Sequence, residues 1–406
     1  MDPVRFGLTS AMAAVCLALV PGCGSSPESL SSTAAPIIKG EPSPESENAA
    51  VAVVLTSGGG LAGSCSGVIV APTIVLTARH CVSETEPGGL ACNKDGKSLG
   101  GGGVLKDHVA NDLAILVGPK ASFSFAARGK KVIHDGAKNL CNHDFAIILL
   151  DKPITGTPIA TIRLDSAPVK GDLLTAVGWG TSDSPGIARR HRTGIPVTVV
   201  GPGNSPRGGG VGPAEFAIGE GICSGDSGGP AFDEKTGAVI GVVSRGGNGN
   251  PDTSSAINGC IDTAEYKTSN FYTRTDGFRD MILAAFAEAG EKVWLEGEPD
   301  PRKAGFGLTC AAPEDCQSNW CLGAGGKNFC SQVCADDKPC PEGYSCSDVG
   351  GTKLCVPTPA APPPAAPTSG SSGGCSASGT TPISTGLGFG ALLGLAALVG
   401  VGRRRR

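Results

Sequence analysis

The sequence predicts an all-β fold for its largest domain, residues 37–290, and three observations carry that expectation. Short β-rich runs recur from Val51 onward: Val51 to Leu55, Ser66 to Val70, Ile74 to Thr77, Ala146 to Leu150, Leu173 to Gly178 and Ala238 to Val243, each bounded by Gly, Pro, Asn or Ser. Gly (63) and Pro (31) are abundant while charged residues are 17% and aromatic residues 4%, a composition of strands, turns and linkers rather than of long helices. Amphipathic stretches of a dozen residues or more, which a parallel α/β sheet needs as crossovers, are scarce. The runs and turn signals together fit a closed antiparallel architecture. The clearest helix lies near Asp276 to Ala289, where Phe278, Ile282, Leu283 and Phe286 share one side, the pattern of a packing element.

The flanks read differently. Arg5 precedes an apolar run from Phe6 to Val20 followed by Gly22 and Cys23, so residues 1–36 read as a signal peptide and a short pro-segment. Val20-Pro21-Gly22-Cys23 resembles a bacterial lipoprotein processing site with Cys23 as the lipidated residue; ordinary signal cleavage is the alternative. Residues 306–356 hold too little apolar mass for an ordinary core but carry eight cysteines, whose crosslinks substitute for it. Trp320 and Phe329 are expected to pack inside this module. Residues 357–382, rich in Pro, Ser and Gly, form an extended spacer. Residues 383–406 are apolar and end in Arg403 to Arg406, long enough for a terminal apolar helix with a cytoplasmic basic stop.

Cysteine arithmetic bears on the compartment. Beyond Cys16, Cys23 and Cys375, six cysteines fall between Cys65 and Cys260 and eight between Cys310 and Cys355. Both counts are even, which implies three and four disulfides and an extracytoplasmic, oxidising location. Several zinc sites are the competing reading; the chain has only 5 histidines, and none lies in the eight-cysteine tract. Eight cysteines permit 105 pairings, so their connectivity stays open. No metal or cofactor is expected, and a formal net charge of −4 gives no reason to expect a nucleic-acid partner.

A serine hydroxyl becomes a useful nucleophile only when a neighbouring base takes its proton, a third group orients that base, and donors await the developing oxyanion. Three separated segments offer these groups: Thr77-Ala78-Arg79-His80-Cys81, His143-Asp144-Phe145-Ala146, and Gly225-Asp226-Ser227-Gly228-Gly229-Pro230. Singly, each has a bland explanation as a core histidine, a turn aspartate or a Gly-rich loop. Together, in the chain order His80, Asp144, Ser227, they resemble the chymotrypsin/trypsin serine-protease family over roughly residues 37–290. Ile37-Ile38-Lys39-Gly40, Gly178-Trp179-Gly180 and Gly241-Val242-Val243-Ser244 are similar to the family's mature amino terminus, central motif and cleft-lining strand.

The resemblance implies a trypsin-like double β-barrel with the site between the barrels, and a serine endopeptidase acting on protein or peptide substrates. His80 would be the base, Asp144 its orienter, Ser227 the nucleophile, and the Gly225 and Ser227 amides the oxyanion hole. It also implies disulfides Cys65 to Cys81 and Cys223 to Cys260; remaining parity leaves Cys92 with Cys141. Asp112, in Asn111-Asp112-Leu113, competes with Asp144 but precedes a strand and turn and reads as structural. Activation would follow an activating protease's cut before Ile37, whose amine would pair with Asp226. In the primary pocket, Gly221 falls where trypsin has an acid, with Ile222, Ser244, Arg245 and Gly246 on its walls. That set predicts non-tryptic specificity: Gly246 leaves space, and Arg245 favours a substrate acid or points to solvent. Glu220 is one residue away from the basal position. The Cys375 segment with the apolar tail resembles myxobacterial surface-sorting signals, implying a sorting protease and anchoring at the envelope. A catalytically inactive, protease-like surface binding protein is the alternative from a different class.

Overall fold

The computed structural model describes residues 37–119, 125–180, 188–255 and 257–358. They fall into two compact units that divide after Ala289. In the first unit, strands β1 (Ala50–Ser57), β2 (Gly60–Ala71), β3 (Ile74–Thr77), β4 (Leu113–Leu116), β5 (Phe125–Ile133) and β6 (Ala146–Leu150) close into a barrel ordered β5-β6-β3-β2-β1-β4. The strands are antiparallel, with Ile148 opposite Val75 and Ile115 opposite Val53. Alternation along them turns Val51, Val53, Ile69, Val75, Leu113, Ile115 and Ile148 into one core.

The second half of this unit repeats the idea. Strands β7 (Leu173–Gly178), β8 (Arg190–Val200), β9 (Glu215–Ile218), β10 (Pro230–Asp233), β11 (Val239–Gly247) and β12 (Ser269–Arg274) run β8-β7-β10-β11-β12-β9, and β9 pairs back onto β8 to complete a six-stranded ring. Its separate core gathers Leu174, Ile195, Val197, Phe216, Ile218, Ile240, Val243 and Tyr272 around the side chain of Ile37. The unit is thus the expected all-β pair of barrels. A 3-10 turn (Asp276–Phe278) leads into α1 (Arg279–Ala289), which buries Ile282, Ala285 and Phe286. Phe278 stacks on Phe145, ring centroids 4.8 Å apart, so the helix entry braces the residue after Asp144.

Two strands differ from the expected runs. β2 begins at Gly60 because its exposed Gly-rich half still pairs with β1 in a hairpin, Ser57 opposite Gly60. β8 gives no clear alternation because Gly194 and Pro196 lie inside it and its start is a run of basic residues.

The second unit is built on four disulfides: Cys310 with Cys321, Cys316 with Cys330, Cys334 with Cys346, and Cys340 with Cys355. Each half contains one hairpin, β13 (Cys321–Ala324) with β14 (Lys327–Cys330) and β15 (Tyr344–Val349) with β16 (Thr352–Pro357). Phe329 is buried and Trp320 half-buried, and Phe306 meets Tyr344 edge-on at 4.6 Å. No helix among the described residues is long and apolar enough to cross a membrane. The leader, Cys23, Cys375 and the terminal apolar segment lie outside the described residues.

Candidate active site

β3 ends at Thr77, and the chain turns at once through a 3-10 turn (Arg79–Cys81) that presents His80. The Cys65–Cys81 disulfide ties this turn to β2. Asp144 stands two residues before Ala146, the first residue of β6, which is opposite Thr77 of β3, so adjacent strands deliver His80 and Asp144 to the same barrel end. Asp144 is fully buried. Its Oδ1 accepts the His80 backbone N–H at 3.0 Å, its Oδ2 lies 2.8 Å from His80 Nδ1, and the Ser244 hydroxyl donates to Oδ2 at 2.7 Å. Asp112 instead sits in a 3-10 turn before β4, where its carbonyl accepts the Thr56 hydroxyl.

These contacts set the charges. Burial pushes the Asp144 carboxyl up, but the His80 charge and three hydrogen-bond donors outweigh it and hold the group below its ordinary value. Burial pushes the His80 imidazole down, yet the Asp144 charge and hydrogen bond prevail and the net shift is upward. The two sulfurs of the Cys65–Cys81 disulfide lie near the His80 ring but, being joined, offer no thiolate to a metal.

Ser227 approaches from the second barrel, in the turn before β10. Ser66, buried in β2, holds that turn from the first barrel: its N–H donates to the Ser227 carbonyl at 2.7 Å and its hydroxyl to the Gly225 carbonyl at 3.0 Å. The Ser66 hydroxyl also accepts the Trp179 N–H at 3.0 Å. Gly228 lies so close to Thr77 that a Cβ there would sit 2.1 Å from its hydroxyl, which brings the Ser227 turn onto the segment leading to His80. Sequence reasoning missed Ser66; its one signal is a serine facing inward at the first-barrel end of a strand stapled at Cys65. Gly225 has φ +91°, a conformation glycine adopts without strain, and neither its N–H nor that of Ser227 donates to another described residue.

Asp226 points away from this cleft into the second barrel. Its carboxylate accepts N–H groups from Gly180 at 2.8 Å, Cys223 at 2.8 Å and Ile37 at 3.3 Å. Gly178 and Gly180 are glycines for a steric reason: a Cβ at either would run into Asp226 within 2.8 Å. Burial, with only neutral donors opposing it, raises the Asp226 carboxyl to about 7. Arg79 is also buried, its guanidinium donating to Ser83 and Asp107 at 2.7 Å each, and so anchors the turn beside His80.

A cavity of about 220 Å³ opens beside Ser227, with Ile222, Arg245 and Gly246 on its walls together with Val243, Asn270 and the Cys223–Cys260 disulfide. The expectations for this pocket change here. Gly221 does not line the cavity: its carbonyl accepts the Ile38 N–H at 3.1 Å, and a side chain on it would meet Ile195 and Ile218 in the core. Ser244 is turned to Asp144 instead. Glu220 is held elsewhere by Lys39 at 2.6 Å and by the Asp262 N–H at 2.6 Å. The space beside Gly246 is taken by Asn270, whose Oδ1 would lie 1.8 Å from a Cβ at that position, while Asn270 Nδ2 donates to the Gly219 carbonyl at 2.8 Å. Arg245 neither points to solvent nor reaches outward: it is half-buried, lying over the Phe271 ring at 4.3 Å and paired with Glu215. The Cys92–Cys141 disulfide sits on the approach to Asp144.

Comparison with known proteins gives this geometry its kinship. The trypsin family profile matches residues 37–282. Trypsin alpha-4 of Lucilia cuprina is 29% identical over 195 residues, 45% of this chain and 68% of that protein. Glucanase inhibitor protein 2 of Phytophthora sojae is 25% identical over 207 residues, 45% and 61% of the two chains. A vitellin-degrading protease of Bombyx mori is 27% identical over 206 residues, 45% and 66% of the two chains. With a family match across more than half its length, the chain belongs to the trypsin family of serine proteases.

Proposed function

We propose that residues 37–290 form an extracytoplasmic serine endopeptidase that cleaves through an acyl-enzyme. The observation that carries this reading is the buried Asp144 clasping both the ring and the backbone of His80, with the Ser227 turn docked against the same strands. Ser227 attacks the scissile carbonyl, His80 takes its proton and returns it to the leaving amine, and Asp144 fixes the tautomer and steadies the imidazolium. The uncommitted N–H groups of Gly225 and Ser227 receive the oxyanion. Specificity is non-tryptic: among the described residues no carboxylate lines the cavity beside Ser227, so a substrate lysine or arginine would enter without a countercharge.

Activation follows from Asp226. With Ile37 in a peptide bond its nitrogen offers only a neutral donor, and a buried carboxylate lacks positive charge. A cut between Pro36 and Ile37 by an activating protease would place an ammonium there. Seven disulfides among the described residues support an oxidising compartment. Envelope anchoring through Cys23 or the terminal segment, and its sorting protease, belong to the same reading. The glucanase inhibitor likeness favours a second one, a catalytically silent binding protein. The deciding experiment is to secrete the protein from an oxidising host, define its amino terminus, and measure peptide hydrolysis beside Ser227→Ala. Ser227-dependent turnover that falls by at least about ten-thousand-fold in the variant supports the enzyme; a properly processed protein with no such turnover leaves the binding protein.

A further inference from the structure

Glu215 opens β9 and is fully buried, yet nothing in the proposed chemistry uses it. Its carboxylate is saturated. Oε1 accepts Arg245 Nη1 at 2.5 Å and the Asn142 N–H at 3.1 Å; Oε2 accepts Arg245 Nη2 at 2.8 Å and the Gly212 N–H at 2.8 Å. The Arg245 guanidinium, 9% exposed, also donates to the Gly210 carbonyl at 2.9 Å. A bidentate pair of this kind holds its geometry tightly.

The partners matter because of where they lie in the chain. Asn142 is two residues before Asp144, and its side-chain Oδ1 accepts the N–H of Ala214, the residue before Glu215, at 2.5 Å. Residues 214 and 215 therefore grip Asn142 by both its backbone and its side chain, in a conformation with φ +65° that asparagine tolerates. Arg245 is the residue after Ser244, whose hydroxyl holds Asp144 directly. The 142–144 loop and the 244–245 strand are thus joined twice, once through Ser244 to Asp144 and once through Arg245, Glu215 and Asn142.

We propose that Glu215 is a positioning residue for the catalytic carboxylate: it locks the loop that carries Asp144 to the strand that carries Ser244. The proposal rests on the reading of His80, Asp144 and Ser227 as a catalytic set. Asp144 must meet two donors of His80 at 3.0 and 2.8 Å, and a displacement of about 1 Å in such a group costs up to about a hundredfold in rate.

The test compares the parent with Glu215→Gln and with the double variant Glu215→Met/Arg245→Leu, which leaves no buried charge unpaired if the single change weakens folding. On folded protein, diisopropyl fluorophosphate reports the reactivity of Ser227 without filling the peptide groove. Peptide-ester hydrolysis separates kcat from KM, and the low-field Nδ1 proton of His80 in NMR reports its bond to Asp144. Both variants are expected to lose about 10- to 100-fold in phosphorylation rate and in kcat and to show a shifted or lost low-field proton, with KM changed less than about threefold in Glu215→Gln, which leaves the cavity wall at Arg245 in place. Phosphorylation at the parental rate, or a rise confined to KM in Glu215→Gln, would overturn the proposal. If the parent itself ignores the fluorophosphate, the protease reading fails; an unchanged low-field proton in the variants would then still reject the role of Glu215.

Discussion

At the scale of the residue, the chemistry is set by which charges are compensated. His80 is held above its ordinary value by Asp144, and in the proposed mechanism it must be neutral to take the Ser227 proton. Protonation therefore silences it at higher pH than an isolated histidine, so the acid limb of kcat/KM is expected above about 6.5. Asp144→Asn should move that limb down and cost roughly ten-thousand-fold in kcat, read from a pH series of initial rates. Asp226 behaves oppositely to an ordinary ion-paired acid. With Ile37 joined to Pro36, its folded-state value is raised from 3.8 to about 7, so its favourable contribution is complete below the lower value and is lost as pH rises through the higher. The thermal midpoint of the precursor, carrying Ser227→Ala to prevent self-cleavage, should fall between pH 4 and 7 by roughly 5–10 °C relative to a further Asp226→Asn change. In protein beginning at Ile37 this fall should vanish. Asn270→Gly should enlarge the cavity beside Ser227 and raise kcat/KM for bulky apolar substrate residues by about tenfold over small ones, measured on matched peptides. The set proposed as catalytic was legible because its three segments each carry a recognisable neighbourhood in a distinctive order. Asn270 was not, since only the β11 to β12 register, Gly246 opposite Asn270, brings it to a serine 43 residues earlier.

At the scale of the element, two barrels contribute opposite halves of one site, and Ser66 is the stitch between them. The strand runs from Ile74 to Thr77, Ala146 to Leu150 and Leu173 to Gly178 are sharp in the sequence because they are rich in apolar residues and their ends are abrupt. β8 was obscured by its internal Gly194 and Pro196. Arg245 was visible as an oddity on a cleft-lining strand, but its meaning required Glu215, 30 residues away and on a strand that reaches it only around the ring. The His80 turn depends on the Cys65–Cys81 crosslink, which closes a separation of 16 residues. Replacing both cysteines with serine should cost about 3 kcal/mol in urea unfolding. It should also lower kcat, even at temperatures where the variant is fully folded, because the turn that aims His80 is loosened.

At the scale of the whole molecule, the two units obtain their stability by different means. The first buries two apolar cores; the second has few large apolar side chains inside and relies on crosslinks. Expressed alone in an oxidising host, residues 290–358 should fold with the same four pairings, verifiable by mass mapping of unreduced digests, whereas dithiothreitol should abolish their structure in circular dichroism. Those pairings could not be read from spacing, since eight cysteines leave every arrangement open; even the hairpin neighbours Cys321 and Cys330, and Cys346 and Cys355, are each bonded to a different cysteine.

The order of these four bridges has a further meaning. Two interlock within residues 310–330 and two within 334–355, and none spans Ser331, Gln332 and Val333. As a covalent graph the unit is two closed knots on a single thread three residues long. One peptide-bond cut in that thread would part them on a non-reducing gel once denatured, with every disulfide intact.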